Sequence, residues 1–217
     1  MPRNGKGISR DQVLRAAVAF ADAHGLEALS MRKLGEALGV EAMSLYHHVA
    51  GKEALTDGMV DLVFEEIDLP SGADWKAELR RRAGSMRAAL NRHRWAVGLM
   101  ESRSNPGVAT LRQHDAVLGC LFAAGFPMDL AAHAFSAIDS YVYGFALQKK
   151  QLPFDTPAQT AEMAQAMLAA FPVDEFPSLA AFTAEHVMRP GYDYADEFGF
   201  GLDLVLDGLD REFAGRT

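Results

Sequence analysis

Residues 26–55, LEALSMRKLGEALGVEAMSLYHHVAGKEAL, constrain the fold more than any other stretch. Ser30 is placed to cap a helix whose apolar positions Met31, Leu34 and Leu38 fall on one face. Gly39 then breaks the run. Glu41 to Val49 reads as the next helix, with Leu45 and Val49 four residues apart and facing inward. Ala50-Gly51 is a short break before a helix from about Lys52 to Ile67. Two short helices about a glycine turn, preceded by a longer one, are a helix-turn-helix, the unit that lays one helix in the DNA major groove.

The chain has 217 residues and a net charge of −8, which taken alone argues against nucleic acid. The distribution argues otherwise. Residues 1–52 carry seven Lys and Arg against five Asp and Glu, while the remainder carries 14 against 24. A mildly basic head on an acidic body suits a protein that turns one end toward phosphate. Hydrophobic residues at 49% supply a sizeable core. No apolar run reaches the roughly 18 residues of a membrane span, and MPRNGKGISR lacks the apolar segment of a signal peptide. A soluble cytoplasmic protein without membrane association is expected. The single cysteine, Cys120, lies in the apolar run VLGCLFAAG and reads as a buried small hydrophobe.

Helical spacing dominates and period-two strands are missing, so the fold class is all-α. Ser9 with Gln12 forms a capping box, followed by the stripe Val13, Leu14, Ala17, Phe20 and Ala21 and a stop at Gly25. The segment LPSGAD at 69–74 is the clearest boundary. Beyond it, helices are expected near 75–93, 95–102, 107–124, 128–150, 157–170, 178–187 and 194–214, punctuated by Pro106, Pro127, Pro157, Pro172 and Pro177.

With Leu45 and Val49 committed inward, Ala42, Met43, Ser44, His47 and His48 face outward, with Tyr46 at the flank. Ala42 and Met43 suit thymine methyls, and Ser44 and the histidines can hydrogen-bond base edges or phosphates. Arg32 is the candidate for a bidentate guanine contact. Ser30 and the amino end of its helix can bind a phosphate. Lys52 is a second phosphate candidate, and Arg3 and Lys6 lie in an arm that could follow the adjacent groove. Tyr46 could equally cover the core edge. His47 and His48 point about 100° apart on a helix, which disfavours a shared metal. No cofactor is called for.

Residues 9–67 resemble the DNA-binding domain of the TetR family of repressors. The resemblance rests on Ser9-Arg10-Asp11-Gln12 with Gly25-Leu26, Leu29-Ser30-Met31-Arg32-Lys33-Leu34, Leu38-Gly39-Val40, Leu45-Tyr46-His47-His48-Val49 and Lys52-Glu53-Ala54-Leu55. It implies recognition residues at Ala42, Met43, Ser44, Tyr46, His47 and His48, a base contact at Arg32 and backbone contacts at Ser30 and Lys52. The glutamine and proline common in the tetracycline repressor's recognition helix are replaced by Ala42 and Met43, which implies a different operator.

The body is similar to the tetracycline-repressor type of C-terminal domain at Asp74-Trp75, Leu90-Asn91-Arg92-His93-Arg94, Ala124-Gly125-Phe126 and Phe198 to Leu209. That implies an effector core and a homodimer through a four-helix bundle built from the helices near 128–150 and 194–214. The expected architecture is an arm and three-helix helix-turn-helix domain over 1–52, a connecting helix and linker over 53–72, and a larger helical ligand-binding and dimerisation domain over 73–217. Phe198, Leu202, Val205, Leu206, Leu209 and Phe213 form a stripe open to two readings, a subunit interface or the subunit's own core. The metal-holding histidine of the tetracycline repressors aligns with Met100 and their drug-orienting asparagine with Arg82, so a magnesium–tetracycline effector is not expected. Expected lining is instead Arg82, Met86, Met100, Phe122, Phe135, Tyr141, Tyr143 and Phe145, with His114, His133 and Asp139 as polar groups. Any one of these apolar residues could instead be core, and His133 a buried, satisfied histidine.

Two-fold half-sites favour a dimer on a near-palindromic double-stranded operator. The chain shows no metal-ligand cluster and no phosphate-cradling glycine loop, and the Ser30-Met31-Arg32-Lys33 match to S-x-x-K has no accompanying K-T-G or S-D-N, so an enzyme is not expected. The expected function is a ligand-responsive DNA-binding regulator, in the repressor sense, released by a small-molecule effector. The alternative is a protein-interaction module whose helix-turn-helix no longer reads DNA.

Overall fold

In the computed structural model, residues 8–216 are described except Glu101 and Phe171. All regular structure among them is helical. Helix α1 (Arg10–His24) starts at the Ser9 capping box. The Gln12 amide donates to Ser9 Oγ at 3.2 Å, and the Ser9 amide donates to Gln12 Oε1 at 2.9 Å. It buries Val13, Leu14, Ala17 and Ala21 and stops at Gly25, whose φ of 81° lies in the region open to glycine. A short 3₁₀ turn leads to α2 (Met31–Leu38), which is capped by Ser30 and ends at the left-handed Gly39.

Helix α3 (Ala42–Leu45) is shorter than its sequence pattern suggests. From Tyr46 to Val49 the chain continues as tight turns, with the His47 amide on Ser44 O and the His48 amide on Leu45 O. Leu45 and Val49 are still buried, so the turns keep the inward positions that a longer helix would have held.

Helix α4 (Lys52–Glu65) buries Leu55, Met59, Val60, Val63 and Phe64 and packs against both α1 and the body. An Asp74 side chain that accepts from the Lys76 and Ala77 amides starts α5 (Trp75–Arg92). The helix expected over 95–102 is a different structure. Residues 94–100 form successive turns, and Trp95, Ala96, Val97 and Met100 are all buried. Three consecutive buried side chains cannot lie on one face of a regular helix. The apolar count there reflects a wrapped loop that plugs the core.

Helices α6 (Val108–Ala123) and α7 (Met128–Gln151) follow, then α8 (Pro157–Ala170) and α9 (Pro177–Phe182). Where a helix was expected through residue 187, α9 passes into a wide π turn over Thr183–Val187, and α8 packs on that turn. Helix α10 (Glu197–Ala214) lies along α7 and is tied to α5. Lys76 Nζ meets Asp207 at 2.6 Å, and Arg80 meets Asp203 at 2.6 Å. The stripe read on this helix is largely the subunit's own core: Phe198, Leu202, Leu206 and Leu209 are buried, and Val205 and Phe213 are half-buried against them. A different row, containing Phe200 and Leu204, faces outward at 69% and 58% exposure.

Candidate nucleic-acid interface and effector core

The α2–α3 corner is held by close backbone approach. A Cβ on Gly35 would lie 2.8 Å from Val40 O and 3.2 Å from Ala42 N, so the corner takes glycine there. The Ser30 hydroxyl accepts from the Lys33 amide at 3.3 Å, orienting the first turn of α2. Arg32 is exposed one residue into that helix and pairs with Glu36 at 2.9 Å. A surface pair of this kind contributes at most about 1 kcal/mol and exchanges readily for a stronger partner. Beyond the corner, Met43 is 73% exposed and Tyr46 48%, and His47 is open beside them. Ala42, Ser44 and His48, expected outward, are half-buried; α2 and α3 pack closely at this corner, where a Cβ on Gly35 would meet Ala42 N at 3.2 Å. The Ser44 hydroxyl donates to Glu41 O at 2.7 Å, which leaves its lone pairs free to accept. Lys52 is exposed at the first position of α4. Arg3 and Lys6 lie outside the described residues.

The body core is organised by an ion pair. Arg82, 1% exposed, donates from Nη1 to Asp139 Oδ1 at 2.6 Å, and Nη2 lies 3.4 Å from Oδ2. Its Nε donates to Gln113 Oε1 at 3.3 Å. The Gln113 amide nitrogen in turn donates to the carbonyls of Phe64 and Ile67, at the end of α4. One continuous buried polar chain therefore runs from α7 through α5 and α6 to the carbonyls of Phe64, in the last turn of α4, and Ile67, just beyond it. Gln113 was missed in the sequence. Its signal is that it stands in register with Val117 and Leu121, four and eight residues on, along the buried face of α6.

Met86 and Met100 are buried near this pair's helices, while Phe135, Tyr141 and Tyr143 are half-buried and Phe145 is buried. Tyr141 and Phe145 are committed to the α7–α10 contact, with the Tyr141 hydroxyl donating to Phe198 O at 2.9 Å and Phe145 stacked on Tyr194. Phe122 and His133 lie on exposed faces of α6 and α7. For His133 this replaces the expected buried setting: the inner face of α7 runs through Leu130, Ala134, Ile138 and Val142 and leaves position 133 outside. His114 lies between the ring edges of Phe64, at 6.0 Å, and Phe135, at 5.2 Å. Its Nε2 is buried without a hydrogen-bond partner, unlike every other buried side-chain nitrogen or oxygen among the described residues. Leaving such an atom unsatisfied costs about 1–3 kcal/mol. Burial pushes the Cys120 thiol up, which disfavours its reactive thiolate.

Two further contacts tie α4 to the body. Arg103 pairs with Asp57. One turn on, Asp61 accepts from the Ala109 and Thr110 amides at 3.2 and 2.9 Å and from the Thr110 hydroxyl at 3.0 Å, capping α6 from a neighbouring helix. At the head–body junction, His93 presents Nδ1 to Asp22 of α1 at 2.8 Å and Nε2 to Glu66 at 3.1 Å, and Trp95 Nε1 donates to the same Asp22 at 2.7 Å.

Comparisons with known proteins agree with this arrangement. The family model for bacterial regulatory proteins of the tetR family matches residues 13–59, and the model for the tetracyclin repressor-like C-terminal domain matches residues 69–213. The chain is 33% identical to the HTH-type transcriptional repressor DrrR1 of Streptomyces coeruleorubidus, over 96% of this chain and 80% of that protein. It is 28% identical to the class A tetracycline repressor from transposon 1721 of Escherichia coli, over 93% and 90%. The structure of ActR from Streptomyces coelicolor in complex with actinorhodin superposes with a TM-score of 0.77 at 25% identity, covering 95% of this chain and 98% of that one. No helix among the described residues is long and apolar enough to cross a membrane. Matches to named transcriptional repressors and regulators leave the interaction-module alternative unsupported. The chain belongs to the TetR family of transcriptional regulators, and is a ligand-responsive, DNA-binding member of it.

Proposed function

We propose that the protein binds a near-palindromic operator as a homodimer through Ser30, Arg32, Ala42, Met43, Ser44, Tyr46, His47, His48 and Lys52, and leaves it when a small molecule enters the body core. The observation that carries the DNA half is the open surface of Met43, Tyr46 and His47 beside the capped start of α2, free of acidic side chains except Glu36 and Glu41 at its margins. Arg32 would leave Glu36 for a guanine edge or phosphate. Two copies would place their α3 corners about one DNA turn apart, roughly 34–36 Å. Dimerisation is assigned to the outward faces of α7 and α10, where Phe200 and Leu204 stand exposed.

For the effector, Arg82, Met86, Met100, His114, Phe135, Asp139 and Tyr143 supply an apolar, partly aromatic core with a few polar groups, a composition suited to a drug-like or metabolite-like molecule. ActR, similar in fold, holds actinorhodin, which favours a ligand of comparable kind here. Selection from random duplex DNA tests the reading: an enriched near-palindrome with half-sites one turn apart is expected. Arg32→Ala should weaken binding to that sequence at least tenfold while leaving the dimer intact. If no sequence is enriched at low salt, the operator assignment fails.

A further inference from the structure

A cleft of about 400 Å³ opens where head meets body, and it shares no residue with the effector core. Small-molecule sites begin at about this size. Its charges are sorted by wall. The head side carries Asp22 of α1 and Glu27 of the 3₁₀ turn. The body side carries Arg92 at the end of α5, Arg94 just after it and Lys150 in the last turn of α7. No cation lines the head side and no carboxylate lines the body side. Leu26, Trp95 and Leu99 supply the apolar part. Each wall also keeps bonding capacity. His93 and Trp95 both meet Asp22 at Oδ1, so Oδ2 has no bond among the described residues. Arg92 spends Nε and Nη2 on Glu66, and Arg94 spends Nη1 on Asp155 and Nη2 on the Lys150 carbonyl. Arg92 Nη1 and Arg94 Nε are left over. Glu27 and Lys150 are exposed, and neither side chain makes an ion pair among the described residues.

We propose that this cleft binds a small zwitterion, with its ammonium end on the Asp22 and Glu27 wall and its carboxylate end on the Arg92, Arg94 and Lys150 wall. Guanidinium groups with free N–H donors suit a carboxylate, and carboxylates accept all three ammonium donors. A plain anion gains from one wall and is repelled by the other, and a plain cation meets the reverse. The two charges belong at opposite ends of a short apolar chain, because Glu27 and Lys150 stand on opposite walls and do not pair with each other. That chain would cover Leu26, Trp95 and Leu99. The site gives the protein a second small-molecule input, separate from the body core, at the junction that His93 already bridges from Asp22 to Glu66.

The test uses the full chain with 6-aminohexanoate, hexanoate and hexylammonium as matched probes. Isothermal titration gives the three affinities. Indole ¹⁵N spectra report on the chain's two tryptophans, of which Trp95 lines the cleft and Trp75 packs on Phe126 outside it. The zwitterion is expected to bind about fivefold tighter than either single-charged probe, the gain from one partly exposed ion pair. The Trp95 resonance should shift and the Trp75 resonance should not. Glu27→Gln should reduce the advantage over hexanoate, and Lys150→Met the advantage over hexylammonium. Both positions are exposed, so the fold tolerates the changes. A single-charged probe that binds as tightly, no binding of any probe, an unmoved Trp95 resonance, or either variant keeping the parent preference would each overturn the proposal. None of these readouts passes through DNA, so the operator reading stands or fails separately.

Discussion

Gly35 and the Arg82–Asp139 pair show how single residues set this fold. A methyl group at Gly35 would meet the Val40 carbonyl, which cannot retreat without opening the α2–α3 corner. Gly35→Ala should therefore cost about 1–3 kcal/mol by overpacking and weaken operator binding more than it lowers overall stability. Thermal melting and a DNA titration on the same sample separate the two effects. In the body, Asp139→Ala leaves a buried guanidinium unpaired and should destabilise by about 3–5 kcal/mol, whereas replacing both partners with apolar residues of similar volume should cost far less. Urea midpoints for the single and double variants measure this directly. Caps at Ser9 and Ser30 and the inward Leu45 and Val49 were legible because each depends on spacing within a few residues. The Arg82–Asp139 partnership was not, although both residues could be singled out. Their side chains meet across a separation of 57 residues, which only the packing of α5 on α7 determines.

Among the elements, regular helices with clear ends could be read almost to the residue, and the segments between them could not. Residues 94–100 have the apolar count of a helix and fold as turns, because the loop must bury Trp95, Ala96 and Val97 together. The same loop helps join head to body. Only an imidazolium donates from both ring nitrogens, so the His93 bridge to Asp22 and Glu66 is fully formed when the ring is charged. Glu66 is partly buried, which pushes its carboxyl upward. Hydrogen bonds from Arg92 and His93 outweigh this and hold it below the ordinary carboxylate value. A carboxyl lowered on folding contributes stability that is present above its unfolded value and is lost as pH falls through the lowered one. Glu66→Gln should therefore be less stable than the parent chain at neutral pH, and the gap should narrow below about pH 4. Urea midpoints across that range check the sign. A gap that widens in acid would mean the carboxylate is not the stabilising form.

Across the whole molecule, an acidic body carries a head of small positive charge, so phosphate contact is confined to one end. Operator affinity should fall steeply with salt, by a slope set by the number of phosphates neutralised. The proposed dimer adds a second expectation. Phe200→Asp places a charge on the exposed row of α10 and should yield monomers in sedimentation, with operator affinity falling at least a hundredfold while helix content is unchanged. The composition of α10 pointed to an apolar face, but which face belonged to the subunit's own core depended on where α7 and α5 lay. Gln113, finally, fixes one end of a lever. It grips the Phe64 carbonyl in the last turn of α4 and the Ile67 carbonyl just beyond, and the 14 residues of α4 span about 21 Å at 1.5 Å each. With that end pinned, a tilt of about 5° carries the other end, and the reading corner attached to it, through about 2 Å. In a symmetric pair the two displacements add to about 4 Å, more than one base-pair step along DNA, against a spacing of about 34 Å between half-sites. A tilt of a few degrees in α4 would thus be enough to put the two reading corners of such a pair out of phase with the groove.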